Sequence, residues 1–87
     1  MVRTTRFDVA EYLDTSARQA EYTSAALETG DAAFVRDAVG IIARARGMGD
    51  VARSAGLNRE SLYKALGETG NPEFETMLGV LRALGLE

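Results

Sequence analysis

Apolar positions recur at helical spacing along most of the chain, and the strict alternation of a half-buried strand is nearly absent. A first short helix is predicted from Asp8, with Glu11 three positions on completing a capping-box pattern. Ser16 with Gln19 repeats that pattern and opens a helix through Ala17, Ala20, Ala25, Ala26 and Leu27 that stops before Gly30. Asp31 caps a third helix, in which Phe34, Ala38, Ile41, Ile42 and Ala45 follow the i, i+4, i+7, i+8, i+11 rhythm of one buried face. Gly47 ends that helix, and two short amphipathic segments follow on either side of Gly56. Gly67 and Gly70 mark a loop, and Asn71-Pro72 supplies an N-cap followed by proline at the first helical position. The last helix places Phe74, Met77, Leu78, Leu81 and Leu84 on one face and ends at Gly85.

Within this all-α pattern, residues 47–66 read as a helix-turn-helix. Two helices cross closely only where side chains are small, which Ala52 supplies, and the turn needs a residue tolerant of positive φ, which Gly56 supplies. Asn58 caps the second helix, while Val51, Ala55, Leu57, Leu62 and Leu66 fall at inward positions that lock the pair together. The expected organisation is one domain of about six helices: residues 1–30 form an N-terminal arm and helices, and 31–87 the helix-turn-helix proper. Arg3, Arg6 and Phe7 belong to the leading segment, which either frays or forms an arm toward a partner.

Size and charge sharpen this reading. At 87 residues the chain makes one small core, burying roughly 60–65% of the unfolded surface, so association would help it. Neither cysteine nor histidine is present, which removes thiolate sites, imidazole ligands and the commonest general base. The carboxylates of Asp8, Glu11, Asp31, Asp37, Glu73 and Glu75 sit in first turns, where acids complement the helix dipole, and no enzyme activity or cofactor is expected. No apolar run reaches membrane-span length and no signal-peptide core follows the first residues, so a cytoplasmic location is expected. The net charge of −3 argues at first sight against a nucleic-acid partner. Its distribution reverses that impression. Residues 1–43 carry four arginines against seven acids, and residues 65–87 one arginine against four acids. Residues 44–64 carry Arg44, Arg46, Arg53, Arg59 and Lys64 against Asp50 and Glu60 alone. The one basic segment is the one with helix-turn-helix spacing.

The candidate DNA-binding residues are Arg53, Asn58, Arg59, Glu60, Ser61, Tyr63 and Lys64. The planar fork of Arg59, in the first turn of the second helix, suits guanine O6 and N7 together. Lys64 fits a phosphate contact, and Ser61 and Asn58 can bond phosphate oxygens, although capping alone accounts for Asn58. Tyr63 fits either a sugar or phosphate contact or a half-buried core position. Arg53 and Arg44 read as backbone-positioning charges or as ordinary solvated groups.

Beyond these patterns, four stretches resemble the addiction-module antidote family. They are Ile42-Ala43-Arg44-Ala45-Arg46-Gly47-Met48, the run from Ala52 through Gly56-Leu57 and Arg59-Glu60 to Leu62-Tyr63-Lys64-Ala65-Leu66, and Gly70-Asn71-Pro72 with Val80-Leu81 and Ala83-Leu84-Gly85-Leu86. Phe7-Asp8, Ala10, Tyr12-Leu13 and Ala26-Leu27-Glu28 with Gly30-Asp31 extend the similarity over nearly the whole chain. Departures are few: Asn58 stands where serine is common, Ser61 where glycine is common, Ala32 where proline is frequent, and Gly49 replaces a usual serine or threonine before the first motif helix. The resemblance implies a lambda-repressor-like helix-turn-helix fold with an N-terminal helical extension. It further implies a protein encoded beside a small RelE/ParE-type toxin, usually RNA-cleaving, that binds and neutralises the toxin and represses its own operon on double-stranded operator DNA. A homodimer covering two half-sites is the expected form, with Leu81, Leu84 and Leu86 as dimer candidates whose preferred reading is core. A stand-alone helix-turn-helix regulator without a toxin is the alternative. A purely protein-binding helical module is the third reading.

Overall fold

The computed structural model describes residues 13–86; the helix expected from Asp8 and the arm residues Arg3, Arg6 and Phe7 lie outside the described residues. The described residues form five helices and no strand: α1 (Ser16–Glu28), α2 (Ala32–Arg46), α3 (Met48–Ala55), α4 (Arg59–Ala65) and α5 (Phe74–Ala83). α1 packs on α2, α2 on α3, α3 on α4, and α5 returns across α3. The core gathers Leu13, Val39, Ile42, Val51, Leu62, Val80 and Leu84 with Ala43, Met48, Ala52 and Leu66, and α1 adds only the half-buried Tyr22 against it.

α1 starts one residue away from the expected cap. Thr15, not Ser16, is the N-cap: its Oγ1 accepts from the Arg18 N–H at 3.1 Å. Gln19 does not reach back to close a capping box. It is buried, its Nε2 donating to the Leu13 carbonyl at 3.0 Å, while its Oε1 accepts from Arg46 Nη1 at 2.7 Å. Thr23 is buried beside it, its hydroxyl donating to the Gln19 carbonyl at 2.9 Å. The face of α1 turned inward is therefore Gln19, Thr23 and Ala26, and no buried side-chain polar atom among the described residues is left without a partner. A satisfied polar face can pack on a helix; an unsatisfied one would cost about 1–3 kcal/mol per group.

Asp31 caps α2 as expected, accepting from the Ala33 and Phe34 N–H groups at 3.0 and 3.3 Å. The buried stripe of α2 is rotated from the predicted one. Phe34 and Ala45 are exposed and Ile41 half-buried, whereas Ala38, Val39, Gly40, Ile42 and Ala43 are buried. The middle of this helix meets neighbours on most of its circumference, because α1 and α3 both lean on it and a Cβ at Gly40 would already touch the Leu66 carbonyl at 3.4 Å. A single-stripe expectation does not fit a helix enclosed in this way.

The loop into α5 also departs from the local signal. Asn71-Pro72 does not start the helix; Glu73 is the N-cap, without a side-chain cap bond, and Phe74 is the first helical residue. Arg36 Nη1 on α2 donates to the Gly70 carbonyl at 2.9 Å and holds the loop against α2, so Asn71 to Glu73 are spent bridging from that anchor to the axis of α5. The inward face of α5 is then Met77, Val80, Leu81 and Leu84 with Ala83, and Phe74 lies 79% exposed. Leu84 is 2% exposed, with Leu81 and Leu86 partly buried against the same cluster, which places all three in the monomer core rather than on a free face.

A candidate nucleic-acid interface

The turn between α3 and α4 is built by one backbone device. Gly56 has φ 76° and ψ 25°, its N–H donates to the Arg53 carbonyl, and the Leu57 N–H donates to the Ala52 carbonyl at 2.8 Å. This is a Schellman end, in which a left-handed glycine lets the next two N–H groups turn back onto the last carbonyls. Leu57 then packs against the core, and Ala52, 2% exposed, gives the crossing its small contact. A Cβ at Gly56 would meet nothing within 4 Å, so Gly56→Ala is penalised by backbone conformation alone. We expect it to lower stability by about 1–2 kcal/mol, read as a shift in urea midpoint at unchanged slope. No shift at all would deny the left-handed turn.

Asn58 caps α4 through its Oδ1, which accepts from the Ser61 N–H at 2.7 Å. At seven residues α4 is too short to hold itself in water; Leu62, fully buried, and Leu66 below it fix the helix to the body. That attachment decides what faces out. Arg59, Glu60, Ser61, Tyr63 and Lys64 are all exposed. Among the described residues, no carboxylate pairs with Arg59 or Lys64. The Arg59 guanidinium sits over the Tyr63 ring, 5.6 Å from its centroid, one helical turn on. At an exposed site this cation–π contact contributes about 0.5–1 kcal/mol, enough to bias the arginine's rotamers without tying up its N–H donors. Tyr63, 44% exposed, is thus a ring lying along the outer face and not a core tyrosine.

The remaining cations divide into two groups. Arg53, on α3, pairs with Asp50 at 3.0 Å, but both side chains are about three-quarters exposed and such a pair is readily given up. Arg46 is structural: besides Gln19 it donates to the Leu84 carbonyl at 3.2 Å. The charge of segment 44–64 therefore overstates what a nucleic acid would meet. Gly49, expected just ahead of the first motif helix, lies inside α3, and Gly47 (φ 109°) is the residue that ends α2 and begins α3. Sequence reasoning missed Thr69, Asn71 and Thr76. They share with Ser61 and Lys64 a shallow depression of about 360 Å³ beside α4. Only the return of α5 brings these residues together, and no local pattern announces them.

The described helices include none long and apolar enough to cross a membrane. No solved structure matches the chain. It is 46% identical over 81 residues to an uncharacterized protein of Haemophilus influenzae, covering 93% of this chain and 84% of that one. A family model described as "Probable addiction module antidote protein" matches residues 3–87. With that match spanning nearly its whole length, the chain belongs to the probable addiction module antidote protein family.

Proposed function

We propose that this protein is a cytoplasmic antitoxin that neutralises a cognate RelE/ParE-type toxin and represses its own operon by occupying operator DNA. The observation that carries the DNA half is the outer face of α4, where Arg59 and Lys64 stand exposed, with no acidic partner among the described residues, on a helix locked from behind by Leu62. Arg59 reads a base edge, Lys64 and Ser61 contact phosphate, Asn58 holds the helix start, and Arg53 contributes from α3. Tyr63 supports Arg59, and Glu60 limits which base pairs the helix start accepts. A homodimer would set two such helices about 34 Å apart, one turn of duplex. The toxin half rests on membership of the antidote family.

Gel shift on the chain's own promoter, with the neighbouring gene product co-expressed, tests both halves. Operator affinity should fall steeply with added salt, because each neutralised phosphate releases counterion; about two cationic phosphate contacts per protomer, from Lys64 and Arg53, predict a slope of log K against log salt near −4 for the dimer. A flat salt response would favour a module whose α4 face meets protein. Absence of a compact neighbouring reading frame would favour the stand-alone regulator.

A further inference from the structure

Across the Gly70–Pro72 loop from the depression beside α4, the end of α1, the start of α2 and the start of α5 enclose an open groove of about 680 Å³. Leu27, Val35, Pro72, Phe74 and Met77 give it an apolar floor, and two of these are conspicuous outside a core: Leu27 is 57% and Phe74 79% exposed. Its two charged lining groups are already engaged. Asp31 Oδ1 accepts two backbone N–H groups of α2, and the Arg36 guanidinium bonds the Gly70 carbonyl and Asp37. Glu28, Glu73 and Glu75 adjoin the lining residues Leu27, Pro72 and Phe74 in the chain, exposed and without an ion-pair partner among the described residues.

We propose that this groove is the toxin-binding surface, and that it takes an apolar side chain of a protein whose contacting face is basic. The proposal rests on the antitoxin reading and extends it to a place on the molecule. Three physical arguments select the occupant. A small organic ligand would find apolar walls but few uncommitted polar groups to orient it, unlike most ligand sites. DNA is repelled by the three glutamates. A second copy seated on the same patch about a two-fold axis would set those glutamates against their own symmetry mates. A protein with a basic contacting face answers each objection, because exposed carboxylates on residues adjoining an apolar anchor site complement cations of a partner. Arg59 and Lys64 do not line the groove, although it meets the depression beside α4 at Gly70, Asn71 and Pro72.

The test measures affinity for the purified protein encoded by the neighbouring reading frame, using wild type, the pair Leu27→Ala with Phe74→Ala, and the triple Glu28→Gln, Glu73→Gln and Glu75→Gln. All five side chains are exposed, and thermal melting checks that each variant folds. The expected results are at least tenfold weaker binding for the alanine pair, as at an interface hot spot, and a shallower salt dependence with weaker binding for the glutamine triple. Operator affinity of the alanine pair should stay within twofold of wild type. If wild type binds the neighbouring protein and both variants match it within twofold, the groove assignment falls while the antitoxin reading stands. If wild type itself fails to bind, the antitoxin reading falls and the groove assignment with it. If the alanine pair loses self-association but keeps its affinity for the neighbouring protein, the groove belongs to a second copy and the proposal is overturned.

Discussion

Leu62→Ala should destabilise the protein by about 2–5 kcal/mol, a large part of the roughly 5–15 kcal/mol that holds a small domain together. The side chain is fully buried, and it belongs to a helix whose own length gives it little stability. Removing three carbons leaves a cavity beneath α4, bordered by a core drawn from α2, α3 and α5. Urea unfolding would read the loss as a lowered midpoint. The same variant should bind operator DNA more weakly even at temperatures where it remains folded, since α4 would be held by Leu57 and Leu66 alone. A loss below about 1 kcal/mol would mean that α4 is fixed by something other than this contact, and the argument for a rigid presenting surface would lapse.

Arg59→Ala carries the second large effect, and it is of a different kind. The residue is exposed and its guanidinium lies over the Tyr63 ring, so folding stability should change by less than about 1 kcal/mol. Operator affinity should fall by about 1–3 kcal/mol, and discrimination at one base pair of each half-site should relax, as loss of a bidentate guanine contact requires. Lys64→Ala provides the contrast: a uniform weakening across sequences with a smaller salt slope. Should Arg59→Ala leave both affinity and sequence preference intact, Arg59 is not the reader, and the reading surface must be sought elsewhere on α4.

How much of this was legible beforehand depends on the reach of each cause. The α3–turn–α4 pair was, because its determinants are local: a left-handed Gly56, an Asn58 side chain bonding three residues ahead, and inward leucines four apart. Asp31 as a cap was legible for the same reason. Local rules failed where a distant group intervened. Gln19 looks like a cap partner until Arg46, 27 residues on, draws it inward. Asn71-Pro72 looks like a helix start until Arg36, 34 residues back, pins Gly70. Phe74 looks like core, yet it is the most exposed of the large hydrophobics, and the periodicity of α5 alone could not show that its inward face begins at Met77. The exposure of Arg59 and Lys64 was readable from helical phase alone; the polar depression beside Lys64 and the acidic-rimmed groove were not, being assembled from separate stretches of chain.

One guanidinium, that of Arg46, grips a side chain near the beginning of the described chain and a carbonyl near its end. A protease that clips α1, or a partner that peels it off, would remove one of the two bonds that orient this guanidinium and so loosen its hold on the Leu84 carbonyl. The two ends of the described chain should thus loosen together rather than one at a time.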